Sequence, residues 1–135
     1  LYFDEVAAMK DIAISADVED GITLHFNATQ LQRIIDNNIS NAIKYSYEES
    51  KIEVTLRRDG DRCELIFKDY GFGIEDTDKI FERYYREETG KGGFGIGLNI
   101  VQSIMEETGI ELDVQSTPKE GSTFTYSFPP SLLTS

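Results

Sequence analysis

Several polar side chains cluster in a stretch whose apolar residues recur at the spacing of an amphipathic helix. At about 100° per residue, Asn37, Asn41 and Lys44 fall within one narrow sector, and Tyr45 lies at its edge. Asparagine is a mediocre helix former, so Asn37, Asn38 and Asn41 together cost helix stability and predict a compensating function. A carboxamide oxygen suits Mg²⁺, and a lysine one turn further along suits a phosphate. A solvated polar face without function is the alternative.

A carboxylate followed by two glycines forms a second group. Asp69, Gly71 and Gly73, with Ile74 beside them, directly follow a predicted strand. Glycines two residues apart let a loop turn tightly and approach a ligand closely. A carboxylate at a strand end can accept a hydrogen bond from an exocyclic amine. These residues predict a ligand-binding loop, although an ordinary strand-to-loop turn explains the same pattern.

Glycine is most concentrated in the run from Gly92 to Leu98, which leads into a second predicted helix. Backbone N–H groups at a helix start, free of bulky side chains, can cradle an anion. The spacing of Gly93, Gly95 and Gly97 is not that of a dinucleotide fingerprint, and no Gly-Lys-Ser/Thr of a P-loop follows. A flexible hinge is the alternative interpretation.

Cationic side chains are concentrated between these two glycine groups. Arg83, Arg86 and Lys91 lie close together in an otherwise acidic chain. Arginine beside a transferring phosphate stabilises negative charge in the transition state. A surface cluster of salt bridges with the neighbouring glutamates is the alternative.

The overall charge argues against several classes of function. The 135 residues carry a net charge of −12 with a sequence pI near 4.4, which disfavours binding to nucleic acid. The sequence contains no run of about 18 apolar residues that would predict a membrane span, and the first ten residues lack a signal-peptide pattern. The single cysteine, Cys63, is consistent with a reducing compartment, so we expect a cytoplasmic domain.

The apolar patterns predict a sheet covered on one face by helices. Helical spacing predicts one helix from an N-cap at Asn27 to about Tyr45, and a second one at 99–108. Asp59-Gly60 is a hairpin turn signal. Alternation or short apolar runs predict strands at 12–14, 22–26, 52–56, 63–67, 112–114 and 124–128.

Taken in order, these features resemble the catalytic domain of sensor histidine kinases. Residues 37–46 resemble the N box, 69–73 the G1 box, 80–86 the F box, 93–98 the G2 box, and 121–124 the closing glycine-rich turn. Four ordered motifs are far more specific than any one of them. The resemblance implies an α/β two-layer sandwich with a mixed, mostly antiparallel sheet of about five strands, helices on one face, and a mobile ATP lid at about 75–92.

The resemblance also implies a Mg²⁺ site and an adenine site. By position, Asn41 would hold Mg²⁺ with the assistance of Asn37, and Tyr45 would lie along the adenine. Asp69 would accept a hydrogen bond from the adenine amino group. Guanine carries an oxo group at that place, so the same carboxylate would exclude it.

Phosphate contacts are implied for Lys44 and Arg86, with Lys91 as a weaker candidate. Gly71 and Gly73 would allow the lid to leave the sheet, and Gly93, Gly95 and Gly97 would wrap the phosphates. Ile74 and Leu98, which adjoin these glycines, would also contact the nucleotide. Three positions depart from the common pattern of the family. Asn38 replaces a common leucine, Tyr70 replaces a small polar residue, and Phe94 replaces a threonine.

The implied reaction is transfer of the terminal phosphoryl group of Mg-ATP to a histidine on another domain. The partners would be the phosphoacceptor helical hairpin of the same parent kinase and a downstream response regulator, with no nucleic acid and no membrane contact. The only histidine, His25, lies in a predicted strand and is not expected to accept phosphate. We expect a monomeric domain at 1–130, with a short or remnant helix at 1–10 and a flexible tail at 131–135. A membrane anchor in the parent protein is left open by the sequence.

Other functions remain open from the sequence. ATPases of the same superfamily activate water with a glutamate one turn before the metal-binding asparagine, and Asn37 cannot act as such a base. Hydrolysis is therefore disfavoured. The alternatives are a binding-only nucleotide switch, an anti-sigma-type serine kinase, and a contact module without nucleotide, which leaves the glycines and arginines unexplained.

Overall fold

A computed structural model of the chain describes residues 12–44, 47, 49–71, 73 and 95–132, with the backbone alone at 44 and 95–100. Within these residues the strands are β1 (Ala13–Val18), β2 (Lys51–Asp59), β3 (Arg62–Asp69), β4 (Glu111–Thr117) and β5 (Gly121–Phe128), and the helices are α1 (Ala28–Lys44) and α2 (Gly95–Thr108). A short 3-10 helix, Pro130–Leu132, follows β5.

The five strands form one sheet in the order β1-β2-β3-β5-β4. β1 pairs with β2 in parallel, and the other three pairs are antiparallel. Both helices cover the same face, because Ile34 of α1 and Val101 of α2 share one core cluster with alternate residues of β3 and β5. The predicted two-layer sandwich with a mixed, mostly antiparallel sheet is confirmed, whereas the predicted lid lies outside the described residues.

Helix α1 begins as the sequence predicts. The Asn27 side-chain oxygen accepts a hydrogen bond from the Gln30 backbone N–H at 3.0 Å, which satisfies one of the free donors of the first turn. Its apolar side then follows the sheet: Ile34 packs in the main core cluster, and Ala42 and Ile43 pack near the opposite end with Ile12 and Ile52. The hairpin turn is also confirmed, with Gly60 in the left-handed conformation between β2 and β3.

The predicted strand at 22–26 is wrong. Ile22, Leu24 and Phe26 are half-buried and pack against the core, so the alternation is real. Only Leu24 makes a bridge, however, and the segment is not one of the five strands of the sheet. Its backbone is instead tied to the chain end, where the His25 N–H donates to the Leu132 carbonyl at 2.7 Å.

The predicted terminal segments fall largely outside the described residues. Nothing in the structure addresses the helix expected at 1–10, and residues 133–135 of the expected tail are likewise outside. The helix Pro130–Leu132 extends two residues into the segment predicted as a flexible tail. Among the described residues, no helix is long and apolar enough to cross a membrane.

Candidate functional site

The end of β3 carries a buried carboxylate. Asp69 is 9% exposed, and its Oδ1 accepts hydrogen bonds from two backbone N–H groups, that of Gly71 at 3.0 Å and that of Ser122 at 3.3 Å. Burial raises the pKa of Asp69 to about 6, and the two N–H donors partly oppose this rise by stabilising the charged form. Both bonds go to one oxygen, so the second oxygen accepts none from the described residues. The arrangement holds an acceptor in a fixed orientation.

Two glycines let neighbouring segments close tightly around this carboxylate. Gly121, at φ 129°, lies where a Cβ would clash with the backbone of Asp69 and Tyr70. Gly73, at φ 76°, lies equally close to the backbone of Thr117 and the adjoining turn. Both positions combine a left-handed backbone with a lack of space, which only glycine satisfies. The turn between β4 and β5 is therefore packed against the loop that follows Asp69.

The C-terminal part of α1 lies over the same end of the sheet. Asp69 is directly opposite Ile52 in the register of β2 and β3, so the two side chains share one face. Ile52 packs with Ala42 and Ile43, which immediately follow Asn41. The sequence-predicted Asn41 and Asp69, 28 residues apart in the chain, are thus brought to one end of the helix-covered face.

The two asparagines predicted to bind metal differ in their bonding. The Nδ2 of Asn37 donates to the Arg33 carbonyl at 2.8 Å, within the same helix. The Oδ1 of Asn41 is buried and accepts no hydrogen bond from the part of the chain that the structure describes. A buried polar atom without a partner costs about 1–3 kcal/mol. A hard cation would satisfy this oxygen, so Asn41 fits the predicted role of a Mg²⁺ ligand.

The third asparagine, Asn38, points into the core. It is 4% exposed, and its Nδ2 donates to the Ile34 carbonyl at 2.8 Å and to the Tyr126 hydroxyl at 2.7 Å. Burial raises the pKa of Tyr126, the hydrogen bond from Asn38 opposes the rise, and the hydroxyl stays neutral. The buried amide of Asn38 is therefore satisfied in part by Tyr126 of β5, a partner that the sequence did not identify.

Tyr70, one of the departures from the family pattern, lies away from the carboxylate. Its hydroxyl donates to the Glu53 carboxylate, and its ring centroid lies 4.9 Å from Lys51 Nζ and 5.2 Å from Lys68 Nζ. The bond to Tyr70 is the main cause that lowers the pKa of Glu53. These partners alternate with core residues and so occupy the face of the sheet opposite to the two helices. Tyr70 does not fill the space next to Asp69.

The remaining sequence-predicted residues are described in part or not at all. Gly95, Gly97 and Leu98 form the first turn of α2, and Lys44 is the last residue of α1; side chains are not described at these positions. The other predicted contacts lie outside the described residues: Tyr45, Ile74, Arg86, Lys91 and Gly93, together with the departure Phe94.

Sequence reasoning missed two contributors to the site. The N–H of Ser122 orients Asp69, and the Ser122 hydroxyl lies 2.8 Å from that of Ser116, which ties the start of β5 to β4. Tyr126 anchors Asn38. For this pair the sequence signals that each residue requires a buried partner, because the tyrosine alternates with core phenylalanines and the asparagine lies on an apolar stripe, but it does not identify the partner.

Comparison with known proteins gives a consistent result. Residues 26–132 match the family described as histidine kinase-, DNA gyrase B- and HSP90-like ATPases. The sensor-like histidine kinase SenX3 of Mycobacterium tuberculosis is 34% identical over 125 residues, covering 88% of this chain and 30% of that protein. The sensor histidine kinase YxdK of Bacillus subtilis is 35% identical, covering 83% and 36%. The chain thus spans about a third of the length of these relatives.

Solved structures agree on the fold. The catalytic domain of the histidine kinase ThkA superposes with a TM-score of 0.81 at 22% identity, covering 96% of this chain and 86% of that one. The mycobacterial sensor histidine kinase MprB gives a TM-score of 0.75 at 25% identity, covering 93% of both chains. The resemblance drawn from the four motifs, and the enzyme class that it implies, are confirmed at the level of the family.

Proposed function

Because the chain belongs to the family of histidine kinase-, DNA gyrase B- and HSP90-like ATPases, we propose that it binds Mg-ATP and donates the terminal phosphoryl group to a histidine of a separate domain. That domain would be the phosphoacceptor helical hairpin of a two-component sensor kinase, and a response regulator would act downstream. The sensor histidine kinases among the relatives support this assignment. Asp69, buried and oriented at the strand end, is the observation that carries it.

Adenine selection follows from the bonding of Asp69. Its Oδ1 is already occupied by the N–H groups of Gly71 and Ser122, so Oδ2 is the acceptor left for a ligand. An ionised carboxylate accepts only, and the exocyclic amino group of adenine donates. Guanine would present an oxo group to the same oxygen, and two acceptors facing each other in a buried site are unfavourable.

The asparagines of α1 are suited to a divalent cation. Asn41 would hold Mg²⁺ through its buried, unsatisfied Oδ1, and Asn37 would assist through the oxygen that its bond to Arg33 leaves available. The cation would supply charge neutralisation for the phosphates. Among the described residues, no group of three or more His, Cys, Asp or Glu side chains offers an alternative metal site.

Cations and backbone N–H groups would hold the phosphates. Lys44, Arg86 and the weaker candidate Lys91 are proposed by position in the family motifs, as is the stacking of Tyr45 along the adenine. Gly95 and Gly97 support the cradle, because they lie in the first turn of α2, where backbone N–H groups have no partner within the helix. Gly93, Ile74 and Leu98 would border this cradle.

Transfer to a protein is favoured over hydrolysis. The superfamily ATPases require a base at the position of Asn37, and the Asn37 amide donates to its own helix and cannot take a proton from water. The residues proposed to contact Mg-ATP would position it and exclude a competing water. Positioning together with charge stabilisation accounts for most of phosphoryl-transfer catalysis.

Calorimetric titration with ATP, ADP and GTP, with and without Mg²⁺, tests the proposal. Adenine-selective binding with negligible release of free phosphate is the expected result. Rapid hydrolysis would contradict the kinase assignment and indicate one of the ATPase branches of the family. If no binding is seen at about 1 mM nucleotide, the binding free energy is weaker than about −4 kcal/mol. The domain would then have a regulatory or contact role only.

A further inference from the structure

Asn38 is the one asparagine of α1 that the proposed function does not use. It lies between the two asparagines assigned to Mg²⁺, yet its side chain is buried and donates to Tyr126 at 2.7 Å. Tyr126 is fully buried on β5, where it pairs with Leu65 of β3 and packs edge-on against Phe67 at 5.9 Å between ring centroids. This is a directional bond from the metal-binding helix to the centre of the sheet.

Because Asn38 lies on the same helix as Asn37 and Asn41, a change in its bond to Tyr126 would also move those two side chains. With 3.6 residues per turn, Asn37 lies about 100° and Asn41 about 60° around the helix axis from Asn38, both on the same side. Side-chain ends lie about 5–6 Å from the axis, so a rotation of about 10° would move the Asn41 oxygen by about 1 Å. A shift of about 1 Å in a positioned group can cost a factor of about 100 in rate.

We infer that the Asn38–Tyr126 hydrogen bond sets the rotation of α1 on the sheet and thereby positions the Asn41 oxygen toward Mg²⁺. The two residues are positioning residues, since both are buried in the core and neither is proposed to contact the nucleotide. The inference rests on the proposed Mg-ATP function. Apolar contacts between α1 and the sheet, such as those of Ile34 and Ile43, are non-directional and tolerate a small rotation. The same rotation of about 10° would also move the Asn38 amide by about 1 Å, which is enough to take the 2.7 Å bond to Tyr126 out of hydrogen-bonding range.

The chemistry of the pair allows stability and positioning to be separated. Asn38→Leu leaves the buried Tyr126 hydroxyl without its donor, and Tyr126→Phe leaves one N–H of Asn38 without its acceptor, so each single change should lower Tm. The combined change replaces both partners by apolar groups of similar shape and should return Tm close to that of the unsubstituted chain. The directional restraint is absent from the combined variant all the same.

The measured quantity is the ratio of the ATP dissociation constant in EDTA to that in Mg²⁺, obtained by calorimetry on the 135-residue chain. For Asn38→Leu/Tyr126→Phe we expect a recovered Tm, a dissociation constant in EDTA within about twofold of the original, and a ratio lowered about fivefold or more. Asn41→Ala serves as the reference for complete loss of the metal contact. A double variant with recovered Tm and an unchanged ratio overturns the inference.

Phe128→Leu is the matched control for general loosening of the core. Phe128 is fully buried on the same strand but lies opposite Cys63, at the far end from Asp69. It should lower Tm and leave the ratio unchanged; an equal loss of the ratio would show that any core defect suffices, and would overturn the inference. If Asn41→Ala itself leaves the ratio unchanged, the metal role in the proposed function fails, and the inference fails with it.

Discussion

The two ends of the candidate site reach the same face of the sheet with different kinds of bonding. At the end proposed to bind adenine (the adenine end), backbone N–H groups of Gly71 and Ser122 hold the Asp69 carboxylate. At the end proposed to bind Mg²⁺ (the metal end), the Asn41 oxygen is buried with no partner among the described residues. The first end holds its acceptor in a fixed orientation, because the two donors belong to the fold. At the second end the oxygen itself has no partner, and the proposed cation would supply one.

This difference separates what each end contributes. A carboxylate held by backbone groups is pre-organised, so its selectivity costs little reorganisation on binding. An unsatisfied amide oxygen instead stores an unfavourable free energy that a ligand relieves. We therefore expect changes at the adenine end to alter which base binds, and changes at the metal end to alter how strongly Mg²⁺ assists binding.

Asp69→Asn should produce the largest effect on the adenine end. The N–H groups of Gly71 and Ser122 require an acceptor at Oδ1, so the new amide would direct its NH₂ toward the base. Two donors would then face each other, and ATP affinity should fall roughly 10- to 100-fold in calorimetric titration. GTP should lose nothing or gain, because its oxo group accepts.

Asp113→Asn, on the exposed side of β4, is the control for the loss of one negative charge. It should leave both affinities unchanged. Unaltered ATP affinity in Asp69→Asn would remove the adenine assignment, and an equal loss for ATP and GTP would remove its explanation by amide orientation.

Gly121→Ala should produce the next largest effect, because the added Cβ would clash with the backbone of Asp69 and Tyr70. We expect a fall in Tm and a loss of ATP affinity of about tenfold, from displacement of the carboxylate by a fraction of an ångström or more. Gly109→Ala is a matched control, since Gly109 also has a positive φ, of 80°, but has open space around its Cα. It should cost about 1–2 kcal/mol of stability from backbone strain and no affinity. Equal affinity losses would contradict the argument from close packing.

Changing pH should sharpen the comparison without altering the sequence. The pKa of Asp69 is raised from 3.8 to about 6, so the folded state binds the proton more tightly than the unfolded state does. Its contribution to stability is greatest below pH 3.8 and is lost as pH rises through about 6, a change of about 3 kcal/mol in total. The Tm of Asp69→Asn minus that of the original chain should therefore increase from pH 4 to pH 7.

ATP affinity should change in the opposite sense and weaken below about pH 6, where the carboxylate of Asp69 becomes protonated. An ATP affinity that stays constant from pH 5 to 8 would contradict this.

Tyr70→Phe should give the smallest effect. The hydroxyl lies on the face of the sheet opposite to the helices and donates to Glu53, away from the Asp69 carboxylate. We expect ATP affinity to change by about twofold or less, since only the strand end loses a restraint. A loss of about tenfold in calorimetry would show that Tyr70 reaches the ligand.

Local features of the molecule could be predicted from the sequence. The N-cap at Asn27, the hairpin turn at Gly60 and the strand-end position of Asp69 depend on residues within a few positions of each other. The helix and strands that position the site residues, and the two layers that these elements form, could therefore be predicted from the sequence.

Non-local features could not be predicted in the same way. The bond of Asn38 to Tyr126 joins residues 88 apart, and nothing near either residue in the chain identifies its partner. The segment 22–26 shows the converse, because its alternation is that of a strand but it is not one of the strands of the sheet. Burial could be inferred there, and pairing could not.

The hydrogen bond between Ser122 and Asp69 also has a consequence for how the molecule folds. The pairs β2–β3 and β4–β5 are hairpins that can form in microseconds. The bond from Ser122 joins residues 53 apart, and closing a loop of that length costs about 3.5 kcal/mol of chain entropy. In a chain with both hairpins formed but not joined, Asp69 would lack the Ser122 N–H and would be held by that of Gly71 alone. ATP would recognise only chains in which the two hairpins have joined, so it would slow unfolding without speeding the steps that precede the joining.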